Sequence, residues 1–504
     1  MSYSTQSRRL LSLSLLLAAA VLLAVSAASA RAADSVYWAN YSAGTISFAN
    51  LGGGGGGELD ITGASAGEAN GVAIDAAAGR IYWVTAPSGP GKVYYANLSG
   101  GGGGELNTAG ATTEFPVGMA IDPAAGKVYW ASGGGNKIAY ATLNGSGGGD
   151  LDTSGATVED PLGVTIDQAS GRIYWVNGVG SAVVSYASLA GGGGGDLNTA
   201  GATAEGPNSP VIDAASGRIY WENYAANTIS YANLNGSGGG DLGITGATLN
   251  GPFGAAIDPA SNRIYWANEK GNSIAYASLA TGQGADLDTS GATLWGPAYP
   301  VLIKAPSPLQ APLASGTPKP GATLSCTPAT WAGDLLESFV SRAPQSTSLQ
   351  WLQNGQTVAG ATAPTFQASA VGSYSCQSAA ANHAGASAQA SASIEVFSIG
   401  KAKPNRRKGT ALLPVTVPGP GTLVLSGKQL VAQRFRVRPG ALKTMTGKLR
   451  FNLPVKAKGK ARKALTKKGK AKVKATVTFT PTTGTSGSQS KSVVLRKVKP
   501  KRHR

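Results

Sequence analysis

Between Asp34 and Lys304 the chain has no His and no Cys, so triads built on either residue and His-zinc sites are excluded from this stretch. What remains is a set of carboxylates, amides and aromatics that vary within an otherwise monotonous sequence. They lie in six short segments, GEANG, TEFPVG, VEDPLG, AEGPNS, LNGPFG and LWGPAY, each leading into a short apolar run. The variable positions are Glu68, Asn70, Glu114, Phe115, Glu159, Asp160, Glu205, Asn208, Phe253, Trp295 and Tyr299. Carboxylates beside aromatics suit a carbohydrate, a basic peptide or a metal ion. Glu68, Glu114, Glu159 and Glu205 would have to converge to hold a metal, and nothing in their spacing requires it.

A second chemistry sits at the other end. From Ser398 to Arg504 there are 29 Lys/Arg and no Asp/Glu, against 9 Lys/Arg and 22 Asp/Glu from Asp34 to Lys304. The net charge of +18 therefore averages an acidic body and a basic tail, which call for different partners. The densest basic run supplies Lys456, Lys458, Lys460, Arg462, Lys463, Lys467, Lys468 and Lys470, and reads as a Gly-broken loop or a short helix. These residues are the expected contacts to a polyanion: a cell-wall polymer, another anionic glycan or phospholipid heads. The run lacks aromatic residues on which bases could stack, which disfavours nucleic acid.

The elements that position these groups repeat. Tyr-Trp pairs occur at Tyr37, Tyr82, Tyr129, Tyr174, Tyr220 and Tyr265, spaced by 45, 47, 45, 46 and 45 residues. Each period holds an apolar run ending in Ile-Asp, the Tyr-Trp segment, a third β-branched and aromatic segment, a glycine run, and a short acid-Leu segment. Four strand-like pieces between Gly/Asn/Ser turns, with no helical pattern, fit one blade of a β-propeller. The glycine runs, such as LNGSGGGDLDTSGAT from Leu143, then become the turn between the third and fourth strands. A phosphate loop would need a Lys-Ser/Thr ending and a following helix, which no copy has. Calcium remains the one cofactor to weigh at these turns, and otherwise none is expected. The Ile-Asp acids Asp75, Asp122, Asp167, Asp213 and Asp258 precede Tyr-Trp pairs two to six, whereas the first pair has no such strand before it. A sixth copy, GPAYPVLIK from Gly296 to Lys304, has no pair after it. Strand closure, with this last copy paired into the first blade, gives six blades and leaves no open sheet edge. Tyr and Trp, on opposite faces of their strand, would fill the spaces toward both neighbours.

AIDPASNRIYWANEKGNSIAYASL resembles the YWTD (class B) repeats of the low-density lipoprotein receptor family, over about Val36 to Lys304. That resemblance implies an all-β, six-bladed propeller. The Thr-Asp of the family's motif is replaced here by pairs such as Ala-Asn, Val-Thr, Ala-Ser and Glu-Asn, which weakens any inference about receptor-like ligands. Lactonase-like enzymes that hold a divalent metal resemble the same architecture, so a metal-dependent hydrolase or lactonase is the alternative function. Downstream, GATLSCTPATW, LQWLQNGQTVAGATAPTF and VGSYSCQSAAAN resemble an immunoglobulin-like domain. That resemblance implies a disulfide between Cys326 and Cys376, with Trp351 packed on it and Tyr374 at the tyrosine corner. The long Cys-to-Trp distance suggests an insertion near Leu335 to Thr347. The tail alternates like a small basic β-domain and resembles the lysine-rich end modules of secreted surface proteins of high-GC Gram-positive bacteria.

The N-terminus carries Arg8-Arg9, an apolar stretch and small-x-small cleavage sites, the pattern of an export signal. The expected organisation is a signal peptide over 1–32, a propeller over 33–304, an immunoglobulin-like domain over 305–397 and a basic module over 398–504. After signal cleavage no integral membrane segment is expected. The expected function is that of a secreted or cell-wall-associated, non-enzymatic binding or scaffold protein. Its propeller face would bind a glycan or protein through Glu68, Asn70, Glu114, Phe115, Asp160, Asn208, Phe253, Trp295 and Tyr299.

Overall fold

A computed structural model of the chain describes residues 33–86, 89–178, 184–438 and 448–498. The expected signal peptide lies outside them. The described residues form two compact units. One runs to Ser307 and adds Ala332–Ser346 and Ala381–Ser387; the other comprises Pro308–Trp331, Thr347–Ala380 and the chain from Ala388 onward.

The first unit is all-β and propeller-like. It is built of six repeated sheets, here called blades, each with an inner strand, a Tyr-Trp strand, a third strand and a short outer strand. Blades two to six take their four strands in sequence order. Blade one does not: its inner strand, Pro297–Ile303, runs antiparallel to Ser35–Asn40, with Ser35 opposite Ile303 and Asn40 opposite Pro297. The inner strands touch in cyclic order, and those of blades six and two both contact that of blade one.

The Tyr-Trp pair explains the seams between blades. Adjacent strand residues face opposite ways. Tyr82 therefore shares a core cluster with Trp130 of the next blade, while Trp83 shares one with Tyr37 of the previous blade. The exchange continues through Tyr129 with Trp175, Tyr174 with Trp221, Tyr220 with Trp266, and Tyr265 with Trp38. All six indoles are buried. A buried indole N–H needs an acceptor. Each of the six donates to a carbonyl of a lead-in loop, from Trp83 to Ser65 at 2.8 Å to Trp38 to Thr293 at 3.3 Å.

The glycine runs lie between the third and outer strands, and their backbone is what they contribute. The Gly54 and Gly56 N–H groups donate to the Asp288 and Ser290 carbonyls of the preceding blade at 2.7 and 3.1 Å. Gly101 and Gly103 do the same to Asp60 and Thr62 at 2.7 and 2.9 Å. A Cβ on Gly56 would stand 2.7, 2.8 and 2.9 Å from Thr289 O, Ser290 O and Ala292 N, so no other residue lets the two backbones meet. The acid that follows the run grips the same turn. Asp241 accepts the Thr203 N–H at 2.9 Å and the Thr203 hydroxyl at 2.7 Å, and Asp150, Asp196 and Asp286 repeat the pattern on Thr112, Thr157 and Thr248.

Ala332–Ser346 completes this unit. Val340–Ser341 adds in parallel to Leu302 and Ile303, at the end of the inner strands away from the lead-in loops. Phe339 packs against four of the clusters between blades. The Ser338 and Ser341 hydroxyls donate to the Ile212 and Ile74 carbonyls at 2.7 and 2.9 Å. The insertion that the sequence places near Leu335 is thus part of the propeller-like unit and fills that end of its axis.

The second unit holds two β layers and a small basic domain. Cys326 in Ala322–Thr327 and Cys376 in Gly372–Asn382 form a disulfide. Trp351 packs in the cluster that contains both cysteines, and its indole donates to Ala363 O at 3.0 Å. The Tyr374 hydroxyl donates to Ala370 O at 3.0 Å. Beyond them, two four-stranded sheets enclose a core that includes Leu413, Val415, Leu423, Leu453, Val477 and Phe479. A helix, Gly459–Lys468, covers one side through Ala461 and Leu465, four residues apart and hence on one face. No helix among the described residues is long and apolar enough to cross a membrane.

Candidate functional site

The lead-in loops gather at one end of the blade axis, and each passes through a left-handed residue just before its inner strand. In three blades that residue is Gly206, Gly251 or Gly296, with φ of 64°, 62° and 66°. In the three consecutive blades two to four it is Glu68, Phe115 or Asp160, with φ of 55°, 47° and 46°. A Cβ in this conformation costs roughly 1 kcal/mol or more. Side chains of the preceding blade lock the loops from outside. Asn136 Oδ1 accepts the Asp160 N–H at 2.7 Å, Asn227 Oδ1 that of Gly251 at 2.7 Å, and Asn272 Oδ1 that of Gly296 at 3.0 Å.

The nine expected binding residues divide into an outer group and a stopper. Glu68 and Glu114 are exposed, as are Phe115 (43%) and Trp295 (62%); Asp160 and Phe253 are half-buried. Asn70, Asn208 and Tyr299 are buried, which corrects the expectation that they face a ligand. Asn208 is covered by Tyr299, which has φ of 49° and crosses the axis. Its hydroxyl stands 2.7 Å from Leu162 O of blade four and 2.9 Å from Asn208 Oδ1 of blade five. Its ring lies where a Cβ on Gly118 of blade three would come within 2.3 Å, so that glycine makes room for it. Between Tyr299 and Phe339 there is no space for a water molecule. Between these two rings the axis is therefore filled.

Around the stopper lie groups that the lead-in loops do not contain. Phe253 meets Tyr299 edge-on at 5.2 Å and Tyr224 edge-on at 5.8 Å between ring centres. Tyr224 donates to the Glu269 carboxylate, and the Lys270 ammonium lies 4.0 Å from the centre of its ring. Burial, and then the bond to Glu269, hold the Tyr224 phenol well above its ordinary range. Burial and the charges of Glu68 and Glu269 raise Tyr41 as well. Burial alone raises the Asp160 carboxyl. Tyr41, Tyr224, Glu269 and Lys270 sit in the hairpins after the Tyr-Trp strands, which vary as much as the lead-in loops, and that variability could have revealed them.

Glu222 is the other group that the sequence reading missed. It follows Trp221, where the other blades carry Ala or Val, and it is fully buried. Its Oε2 accepts the Gly254 N–H at 3.0 Å, and its Oε1 has no hydrogen-bond partner among the described residues. Burial pushes its pKa up to about 8, so the carboxyl is neutral at pH 7.

Glu68, Glu114, Glu159 and Glu205 stay apart on successive loops. Among the described residues no group of three or more His, Cys, Asp or Glu side chains is placed to hold a metal. Of the acids after the glycine runs, weighed for calcium, Glu58, Asp150, Asp196, Asp241 and Asp286 bind neighbouring threonines and Glu105 pairs with Lys92.

In the basic domain the expected polyanion contacts lie on and around the helix. Lys456 and Lys458 precede it, Lys460, Arg462, Lys463, Lys467 and Lys468 project from it, and Lys470 opens the next strand; all are exposed. Gly459, Arg462, Lys463, Thr466 and Lys467 line an open cleft of about 460 Å³.

No family model and no curated protein matches the chain. Solved structures do resemble it. The crystal structure of a nidogen/laminin complex is 18% identical with a TM-score of 0.45, over 53% of this chain and 98% of that one. A candidate 6-phosphogluconolactonase from Bacteroides uniformis is 14% identical with a TM-score of 0.40, over 54% of this chain and all (100%) of that one. One from Bacteroides fragilis is 13% identical with a TM-score of 0.39, over 55% and 99%.

Proposed function

We propose that the chain is an exported, non-enzymatic binding or scaffold protein. In this reading the first unit is a six-bladed YWTD-like propeller closed by Pro297–Ile303, the disulfide-bearing layers are an immunoglobulin-like module, and the basic domain associates with anionic cell-wall polymers. The lead-in face of the propeller binds a glycan or a protein segment that presents a cationic group. One observation carries this: blades two to four keep Glu68, Phe115 and Asp160 in a conformation that the other blades give to glycine. The fold does not need these side chains there, and strain of this kind collects at ligand sites. An acidic, aromatic surface selects positive charge by Coulomb attraction and cation–π contact. An array carrying lysine-rich peptides, amino sugars and neutral glycans tests it with the full chain. Retention on the cationic probes, weakened by salt, is expected; equal retention on neutral glycans would remove the proposed selectivity.

A hydrolytic reading draws on Glu222, a carboxyl kept protonated beside the axis, as a general acid. It requires Tyr299 to swing aside, and it would be supported by lactone turnover that disappears in Glu222→Gln.

A further inference from the structure

The basic run is only one of three segments that bring cations to the same place. The hairpin holding Arg406, Arg407 and Lys408 lies far from it in sequence. Yet Val498 N donates to Arg406 O at 3.0 Å, and Lys497 N donates to Gly469 O at 2.9 Å. A Cβ on Gly409 would stand 3.0 Å from the Leu465 side chain and 3.3 Å from that of Lys497. Hairpin, helix C-terminus and final strand therefore meet at one end of the domain. The helix delivers Lys467 and Lys468 in its last turn, where its dipole favours positive charge. Lys470 stands directly opposite Arg496 on the paired strands.

Like charges placed directly opposite each other in a sheet are destabilising, and nothing in the domain offsets them. It contains no Asp or Glu, and the salt bridges among the described residues all lie in the first unit. All of these cations are exposed. Solubility alone would disperse such charges, whereas here three separate segments concentrate them. On the same face Lys472 and Lys474 continue from Lys470 at every second residue, extending the pole into a track.

We infer that this pole, and not the lysine-rich run by itself, is the docking site for a linear phosphate-bearing polymer. The inference rests on the wall-association reading above and locates its site. Arginine forks and lysine ammonium groups suit phosphate oxygens, and a chain of regularly spaced anions matches a track of regularly spaced cations. Binding proceeds by releasing condensed counterions, so its salt dependence counts the contacts.

The test uses the full chain, inorganic polyphosphate as probe, and two variants that each lose three charges. One is Arg406→Gln/Arg407→Gln/Lys408→Gln at the pole. The other is Arg434→Gln/Arg436→Gln/Arg438→Gln, on or just after Gln433–Val437 at the opposite edge of the same sheet. The pole variant should lose affinity by on the order of tenfold at low salt, with a log–log salt slope shallower by roughly 2. The edge variant should lose much less. If the hairpin variant fails to fold, Lys467→Gln/Lys468→Gln/Lys470→Gln must reproduce the loss. Equal losses from the pole and edge variants would overturn the pole while leaving wall association standing. Absence of polyphosphate binding by the parent chain would end both. Tighter binding to single-stranded DNA, or to phosphatidylglycerol vesicles, than to polyphosphate at equal salt would assign the pole to another partner and overturn the proposal.

Discussion

The rim of the propeller-like unit and the mouth of its axis are built from the same repeat under opposite rules. At the rim each glycine run must let its backbone meet the carbonyls of the preceding blade, and outside blade six, which reads LATGQGADL, the sequence hardly varies. At the mouth the backbone needs only a left-handed residue, which glycine would supply. Three blades nevertheless use Glu68, Phe115 and Asp160 there, and a fourth projects Tyr299 across the axis, also left-handed. Uniformity at the rim follows from geometry, while variation at the mouth is tolerated at an energetic cost, and the proposed binding face rests on that difference.

The largest effect should come from Glu222, whose burial works against the fold. Unfolded, Glu222 ionises near its ordinary 4.5; folded, near 8. The native state therefore holds an extra proton across that window, and stability is lost as pH rises from about 4.5 to about 8. Glu222→Gln should abolish this loss and stabilise the chain at pH 8 by a few kcal/mol, with little change at pH 4.5. Denaturant melts at the two pH values measure it. A pH dependence unchanged by the substitution would show that the carboxyl is not buried as described.

The rim should respond to a single carbon. Gly56→Ala puts a Cβ against three backbone atoms of the neighbouring blade and should cost about 2–3 kcal/mol. Gly52→Ala, four residues earlier in the same run with nothing within 4 Å of the added carbon, should be neutral or slightly stabilising. Equal effects would mean that the run is only a tether. A smaller loss, about 1 kcal/mol, is expected when Asp241→Ala removes the grip on Thr203, because that pair is solvent-exposed. Chemical denaturation of the three variants ranks them.

Much of the fold was legible because period and chemistry agree. The spacing of Tyr-Trp pairs and the alternation within strands each reflect a constraint that recurs in every blade, and the sixth inner-strand copy, GPAYPVLIK, stands out because that repeat exposes it. What stayed hidden occurs once. Glu222 differs from its counterparts by one letter in YWEN, and sequence does not say that a carboxyl there is sealed between blades. Tyr299 and Asn208 read as loop residues because their burial depends on one ring crossing from blade one to blades four and five. The 332–346 stretch reads as an insertion, since nothing local marks Phe339 as the residue that reaches the blade axis. Arg406–Lys408 joins the basic helix only through the folding of the domain.

The central claim, that the mouth gives up stability for binding, is open to one direct measurement. Glu68→Gly/Phe115→Gly/Asp160→Gly converts blades two to four to the glycine that blades one, five and six already use. Its thermal stability and its retention on cationic peptides and amino sugars should be read together, beside the parent chain. The account predicts a more stable chain, by up to about 1 kcal/mol per site, that has lost its retention. A variant that is less stable and still binds would contradict it, because the three side chains would then serve the fold and not the ligand.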